Sequence, residues 1–324
     1  MSIWPKKVCA IHCPKQSGIK PDGLKRESQA NYVKMRHNII QIRDTKTPMK
    51  KILFLLLCQS VALVGNAESL YEISGEWIEG GLLIGNTSPG AEVMFKGEPI
   101  LVAEDGLFTI GLHRDEDEQV EVTVKLPDGR IQSDKFAVSQ REYRIQRIEG
   151  IAREIMEPTK EDQDRIWTEV QQTREARGVL SGRRDFLANF QWPLEGPITG
   201  VYGSQRVYNG VPGTPHYGLD IAAPTGTPVY APAPGMVTLV HDNMFYSGGT
   251  LMVDHGHGIS STFIHLSKVL VEEGQEIAPG DVIAEVGATG RVTGPHLDWR
   301  MNWRDARIDP EFLVPKKPAP IENN

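Results

Sequence analysis

The residues of this 324-residue chain that could do chemistry are concentrated toward its end. Six histidines follow position 190: His216, His241, His255, His257, His265 and His296. Two of them stand four and two residues before an aspartate, in His216-Tyr217-Gly218-Leu219-Asp220 and in His296-Leu297-Asp298. Imidazole nitrogen and carboxylate oxygen together suit a zinc ion, which takes three protein ligands when a fourth position is left open for water. Four residues of straight strand span about 13 Å. His216 and Asp220 can therefore meet one ion only if the chain bends between them, and Gly218 is expected to supply that bend. His296 and Asp298, two apart, project from one face of a strand, with Leu297 and Trp299 turned the other way. His265, in "FIHLS", adds a histidine at the end of an apolar run. His255 and His257 sit in a glycine-rich turn, and with His241 they are expected to be structural.

The elements that must position these groups read as all-β. From about Leu70 to Gly150, apolar and polar residues alternate between turns such as Pro127-Asp128-Gly129, as in "VEVTVKLPDGRIQSDKFAV". Period-2 alternation of this kind predicts hairpins, and residues 68–150 are expected to form a small β-sandwich-like module. Its His113, beside Arg114 and the acidic run Asp115 to Glu118, reads as a solvated loop. Residues 151–189 are expected to hold a helical linker, capped by Thr159 and stopped by Gly178, that packs through a stripe of Ile166, Trp167 and Val170. Residues 190–324 return to short β-type runs broken by Gly and Pro, which predicts a second, antiparallel β-sheet domain.

Composition narrows the setting. The stretch "MKKILFLLLCQSVALVGNAES" has the basic, apolar and small-residue regions of a secretory signal peptide over residues 49–67, with cleavage expected after Ala67. Residues 1–48 then read as a leader ahead of the true start at Met49. All three cysteines, Cys9, Cys13 and Cys58, precede Ala67, so the exported chain is expected to lack disulfides and to rest on its core alone. The whole chain carries a net charge of −7, but its first 67 residues hold twelve Lys/Arg and only three Asp/Glu, which leaves the remainder at −16. Such acidity argues against nucleic acid and against anionic lipid as partners. The apolar core of the signal is too short for a transmembrane span, and the exported part holds none.

Three segments carry a family resemblance: "HYGLDIAAPTGTPVYAPAPGMV", "DHGHGISSTFIHLSK" and "VEEGQEIAPGDVIAEVGATGRVTGPHLDW". Over roughly residues 190 to 315 the chain resembles the lysostaphin-type, or LytM-type, zinc peptidases, which cut peptide cross-links of bacterial peptidoglycan. The module ending in "YRIQRIEG" is similar to one that accompanies such domains in exported bacterial proteins. The resemblance implies one zinc ion per domain, bound by His216, Asp220 and the residue at 298, with His265 and His296 beside the metal handling protons. It implies peptidoglycan as substrate and a periplasmic or envelope location, with an envelope regulatory partner as a further expectation. At 298 the family pattern has histidine and this chain has aspartate. Counting one neutral His, two carboxylates and zinc gives a formal charge of zero, so activity is expected at higher pH than in an Asp298→His variant. Arg206 or Tyr208, in "GSQRVYNGVPGTP", either contacts substrate or belongs to an ordinary turn at Asn209-Gly210. A different class stays open: a catalytically inactive, metal-free wall-binding module that activates another hydrolase.

Overall fold

In a computed structural model of the chain, the described residues are 69–149 and 158–317. The expected signal peptide lies outside them. No helix among the described residues is long and apolar enough to cross a membrane.

Residues 69–149 form two small sheets. One has the strand order Tyr71–Ser74, Leu82–Thr87, Leu107–Gly111; the other runs Glu98–Pro99, Glu92–Phe95, Gln119–Lys125, Ile131–Ala137. The strand Gln119–Lys125 shows why the alternation was legible. Val120, Val122 and Val124 are buried while Gln119, Glu121 and Lys125 face out. Phe108, Ile110, Leu83, Val93 and Phe95 complete this part of the core.

A ten-stranded sheet dominates the rest. Its main path runs Glu276–Ile277, Gly235–Met244, Gly248–Gly256, Ile259–Val269, His296–Trp303, Gly218–Ala222, Ile198–Gly200, with every neighbouring pair antiparallel. One face buries Leu251, Val253, Phe263, Leu297, Trp299 and Met301. The other face carries Asp220, Asp298 and Arg300, and the candidate site stands on it.

The two β regions share one core. Trp303 Nε1 donates to Thr109 Oγ1 at 2.9 Å and its ring meets Phe95 edge-on at 6.0 Å. Gly111 allows this approach, because a Cβ there would lie 2.4 Å from Trp303 Cβ. Arg141 Nη1 pairs with buried Asp309 at 2.8 Å, and Ile145–Ile148 pairs in parallel with Gln205–Tyr208.

Two elements differ from the sequence expectation. The run after His113 is not a solvated loop: Arg114 and Glu116 are buried, Arg114 Nε donates to the carbonyl of Gly203 at 2.8 Å, and Lys96 pairs with Glu116. The helix Lys160–Arg177 forms with its Thr159 cap, reciprocated by Asp162, and ends at Gly178. Its packing face differs from the apolar stripe, since Trp167 and Val170 are exposed. Glu169 is buried instead, bonded to Arg165 at 2.7 Å and to the Phe245 amide at 2.8 Å, and Ala176 packs with Leu239, Met244 and Met252. Those polar anchors and one small residue let the helix lie close to the sheet and turn the tryptophan outward.

Candidate metal centre

Sheet register brings the site together. Asp220 and Asp298 are direct cross-strand partners, as are Ala222 and His296. His296 and Asp298 share a face by the i, i+2 rule, and Leu297 and Trp299 are fully buried behind them. His216 arrives from the loop before the strand Gly218–Ala222, tied down by its own amide to Ser204 O (2.8 Å) and by Gly203 N to its carbonyl (2.7 Å). Arg114 holds that same Gly203, so the amino-terminal β region supports the loop that delivers His216.

The bend that lets His216 and Asp220 converge does not lie at Gly218. His216 sits outside the strand, which from Gly218 to Ala222 pairs without a break with His296–Arg300, so the chain turns before Gly218. Gly218 contributes space: a Cβ there would come within 2.3 Å of Asp298 Oδ1 and 2.6 Å of Arg300 Cγ.

One donor atom each from His216, Asp220 and Asp298 fall within 4.8 Å of one another. His216 Nε2 stands 3.2 Å from Asp220 Oδ1, close enough for a hydrogen bond but without its angle, so both buried atoms lack a hydrogen-bond partner. Unpartnered buried donors and acceptors are costly. One cation between them satisfies both, and an imidazole with two carboxylates is a donor set that suits zinc. Burial opposes protonation of His216, but its contact with Asp220 and the charges of Asp298 and Asp220 outweigh it and raise its proton affinity. A metal ion must therefore displace a proton there.

Asp298, 1% exposed, is gripped by Arg300: Nε lies 3.0 Å from each carboxylate oxygen and Nη2 2.6 Å from Oδ2. Burial alone would raise its pKa, but the guanidinium overcomes that and holds the carboxyl well below the usual range. Asp298 is thus an anion whatever the ordinary pH.

His265 and His296 flank the cluster with ring centroids 4.9 Å apart. His265 Nδ1 donates to Thr289 O at 3.0 Å and His296 Nδ1 to Gly294 O at 2.8 Å. A carbonyl only accepts, so in both neutral rings Nε2 keeps its lone pair. His296 Nε2 faces Asp220 Oδ1 at 3.7 Å. Burial lowers the proton affinity of His265, which favours the neutral ring. Its φ of 68° is uncommon for a non-glycine residue, and a bulge in its strand at Leu266 accompanies it. Such strain, on the order of 1–3 kcal/mol, is typical of functional positions.

Arg206 and Tyr208 lie on the strand Gln205–Tyr208, which pairs with Ile145–Ile148 and with Val211–Pro212 across the Asn209-Gly210 turn. Among the described residues no hydrogen bond, ion pair or ring contact joins either to the five site residues. His255 is held by Pro234 O (2.6 Å) and Ser261 Oγ (2.7 Å) in the core. Sequence reasoning missed Arg300, although it stands two residues past Asp298 on the same strand face, the spacing that paired His296 with Asp298.

Comparison with known proteins agrees with this geometry. The model of peptidase family M23 matches residues 214–310, a span that holds all five residues. The chain is 40% identical over 110 residues to the peptidoglycan DD-endopeptidase ShyA of Vibrio cholerae, covering 32% of this chain and 25% of that protein. It is 36% identical over 126 residues to ShyB of the same organism, covering 39% and 27%. These matches span only about a quarter of each curated relative. A Pseudomonas aeruginosa structure assigned to peptidase M23 aligns over 74% of this chain and 95% of its own, at 31% identity and a TM-score of 0.59. With that likeness running through both β regions, the chain belongs to peptidase family M23.

Proposed function

We propose that this chain is an exported zinc metalloendopeptidase that hydrolyses peptide cross-links or stem peptides of peptidoglycan. The observation that carries this reading is the pair of unpartnered buried atoms, His216 Nε2 and Asp220 Oδ1, facing Asp298 beside two imidazoles with free Nε2 atoms. The named activity of the Vibrio relatives supports the substrate class, and the signal-like residues 49–67 support export.

His216, Asp220 and Asp298 would hold one zinc ion, which when bound supplies Lewis acidity to a scissile carbonyl and lowers the pKa of water. His265 and His296, each with its Nε2 lone pair open, would orient an attacking water, accept its proton and return it to the departing amine. Thr289 and Gly294 fix the tautomers this requires. The charge count changes once Arg300 is included. Zinc, one histidine and two carboxylates sum to zero, and the guanidinium on Asp298 restores +1, the value of a site with two histidines and one aspartate. Arg300 is present in both proteins, so an Asp298→His variant would stand at +2 and the alkaline displacement expected from sequence keeps its one-unit difference in charge.

Arg300 is also the observation that favours the wall-binding alternative, because a guanidinium can satisfy Asp298 without any metal. Zinc content separates the two readings. Full-length protein is expected to bind one zinc per chain by elemental analysis, to lose it and its turnover on chelation, and to regain both on zinc addition. A His216→Ala variant is expected to bind none. Wild-type protein that takes up no zinc would refute the metallopeptidase and leave the binding module.

A further inference from the structure

Beside the metal centre, three arginines from three elements meet on one face of the sheet. Arg300 follows Asp298 at i+2, and Asn302 follows Arg300 at i+2. Arg307, on the strand Ala306–Ile308, pairs directly with Asn302 and donates to its Oδ1 at 3.1 Å. Arg177 ends the helix Lys160–Arg177. The preceding Ala176 packs on Met252, which is the cross-strand partner of Thr262, itself the partner of Arg300. The helix end thus stands on the site face.

Two of these cations lack an anion of their own. Arg300 is committed to Asp298, but Arg177 Nε is buried without a hydrogen-bond partner, and no carboxylate lies within ion-pair distance of Arg177 or Arg307 among the described residues. Burial and the neighbouring guanidinium groups push both toward losing a proton, Arg307 down to about 9. The opposing charge they share is Asp305, an exposed residue of the turn between the two strands. Both side chains retain partial solvent access. Arg307 also stacks over the ring of Tyr217, 5.5 Å from its centroid, next in sequence to His216, and His113 closes the other contact of that ring. Repelling guanidiniums whose shared counter-charge is an exposed Asp305 outside ion-pair distance are stabilised by an anion that enters from solvent.

We propose that Arg177 and Arg307, backed by Arg300, form a subsite for a carboxylate on the residue that follows the scissile amide, as in a D,D-linked peptide with a free α-carboxylate. This rests on the proposed function, in which the ligand is a peptide. Arg307 stands opposite Asn302, four residues and about 13 Å along the strand from Asp298, but its guanidinium lies over the ring of Tyr217, next to His216, and the α-carboxylate oxygens of the next residue reach about 4 to 5 Å from the scissile carbon. A guanidinium with its own reach spans the remainder, and two of them give the fork geometry that carboxylates favour.

The test uses the peptide diacetyl-L-lysyl-D-alanyl-D-alanine and its carboxy-terminal amide, titrated by NMR into full-length protein stripped of metal. The acid is expected to bind at least about tenfold more tightly than the amide. Arg307→Met and Arg177→Met should each bring that ratio toward one while keeping affinity for the amide, which also reports that the variants are folded. Equal binding of acid and amide by the wild type, or an undiminished ratio in both variants, overturns the subsite. Hydrolysis is read separately after zinc is restored. A preference for the acid in binding, with no cleavage of this peptide or of peptidoglycan, counts against the proposed function and leaves the subsite standing.

Discussion

Asp298→His, which installs the ligand that the family pattern carries, is expected to weaken zinc binding rather than strengthen it. The imidazole removes the anion that Arg300 grips through contacts of 2.6 and 3.0 Å, and leaves a guanidinium facing a dication across the site. One unit of charge at about 5 Å and an effective dielectric near 20 is worth about 3 kcal/mol against a single charge. Arg300 keeps 29% of its side chain exposed, so water screens part of this. A loss of about a hundredfold in zinc affinity is the expected outcome, read by competition with a chelating dye. Arg300→Met added to Asp298→His removes the stranded cation and should recover most of that loss. Equal or tighter binding by the single variant would show that the pair is not compensating.

His296→Ala is expected to lower turnover by about 10²- to 10⁴-fold, the usual range for a lost general acid or base, with one zinc still bound. The prediction follows from geometry. His296 Nε2 is free, lies 3.7 Å from Asp220 Oδ1 and belongs to a ring oriented by Gly294 O, yet it is outside the group of three donors that converge on one point. Zinc stoichiometry and kcat measured on the same preparation check both halves. Loss of the metal would make His296 a ligand, and wild-type turnover would remove it from the chemistry.

Much of the site was readable because its logic is local. Period 2 alone places His296 and Asp298 on one face and buries Leu297 and Trp299, and the structure has them so. The clean alternation of Val120, Val122 and Val124 made the amino-terminal hairpins equally plain. What escaped depends on partners far away in sequence. The bend before Asp220 is set by Ser204 and Gly203, not by Gly218. Arg114 looked like part of a solvated charge run until Gly203, 89 residues on, gave it an acceptor. The helix stripe of Ile166, Trp167 and Val170 misled because Glu169 found the Phe245 amide, a buried polar contact that apolar periodicity cannot announce. Arg177 and Arg307 are 130 positions apart, and only the folded sheet makes them neighbours of Arg300.

In the proposed function His216, Asp220 and Asp298 would hold a metal for cutting peptide bonds of the cell wall. The most direct measurement of that cutting is digestion of purified peptidoglycan by residues 68–324, with released fragments identified by mass spectrometry, run with a chelator and with zinc added back. Peptides cut at an amide of the stem or cross-link are expected to be released, with release abolished by the chelator and restored by zinc. No release under any condition from zinc-loaded protein would contradict the proposed function and make the Arg300-clamped aspartate part of a site that no longer catalyses.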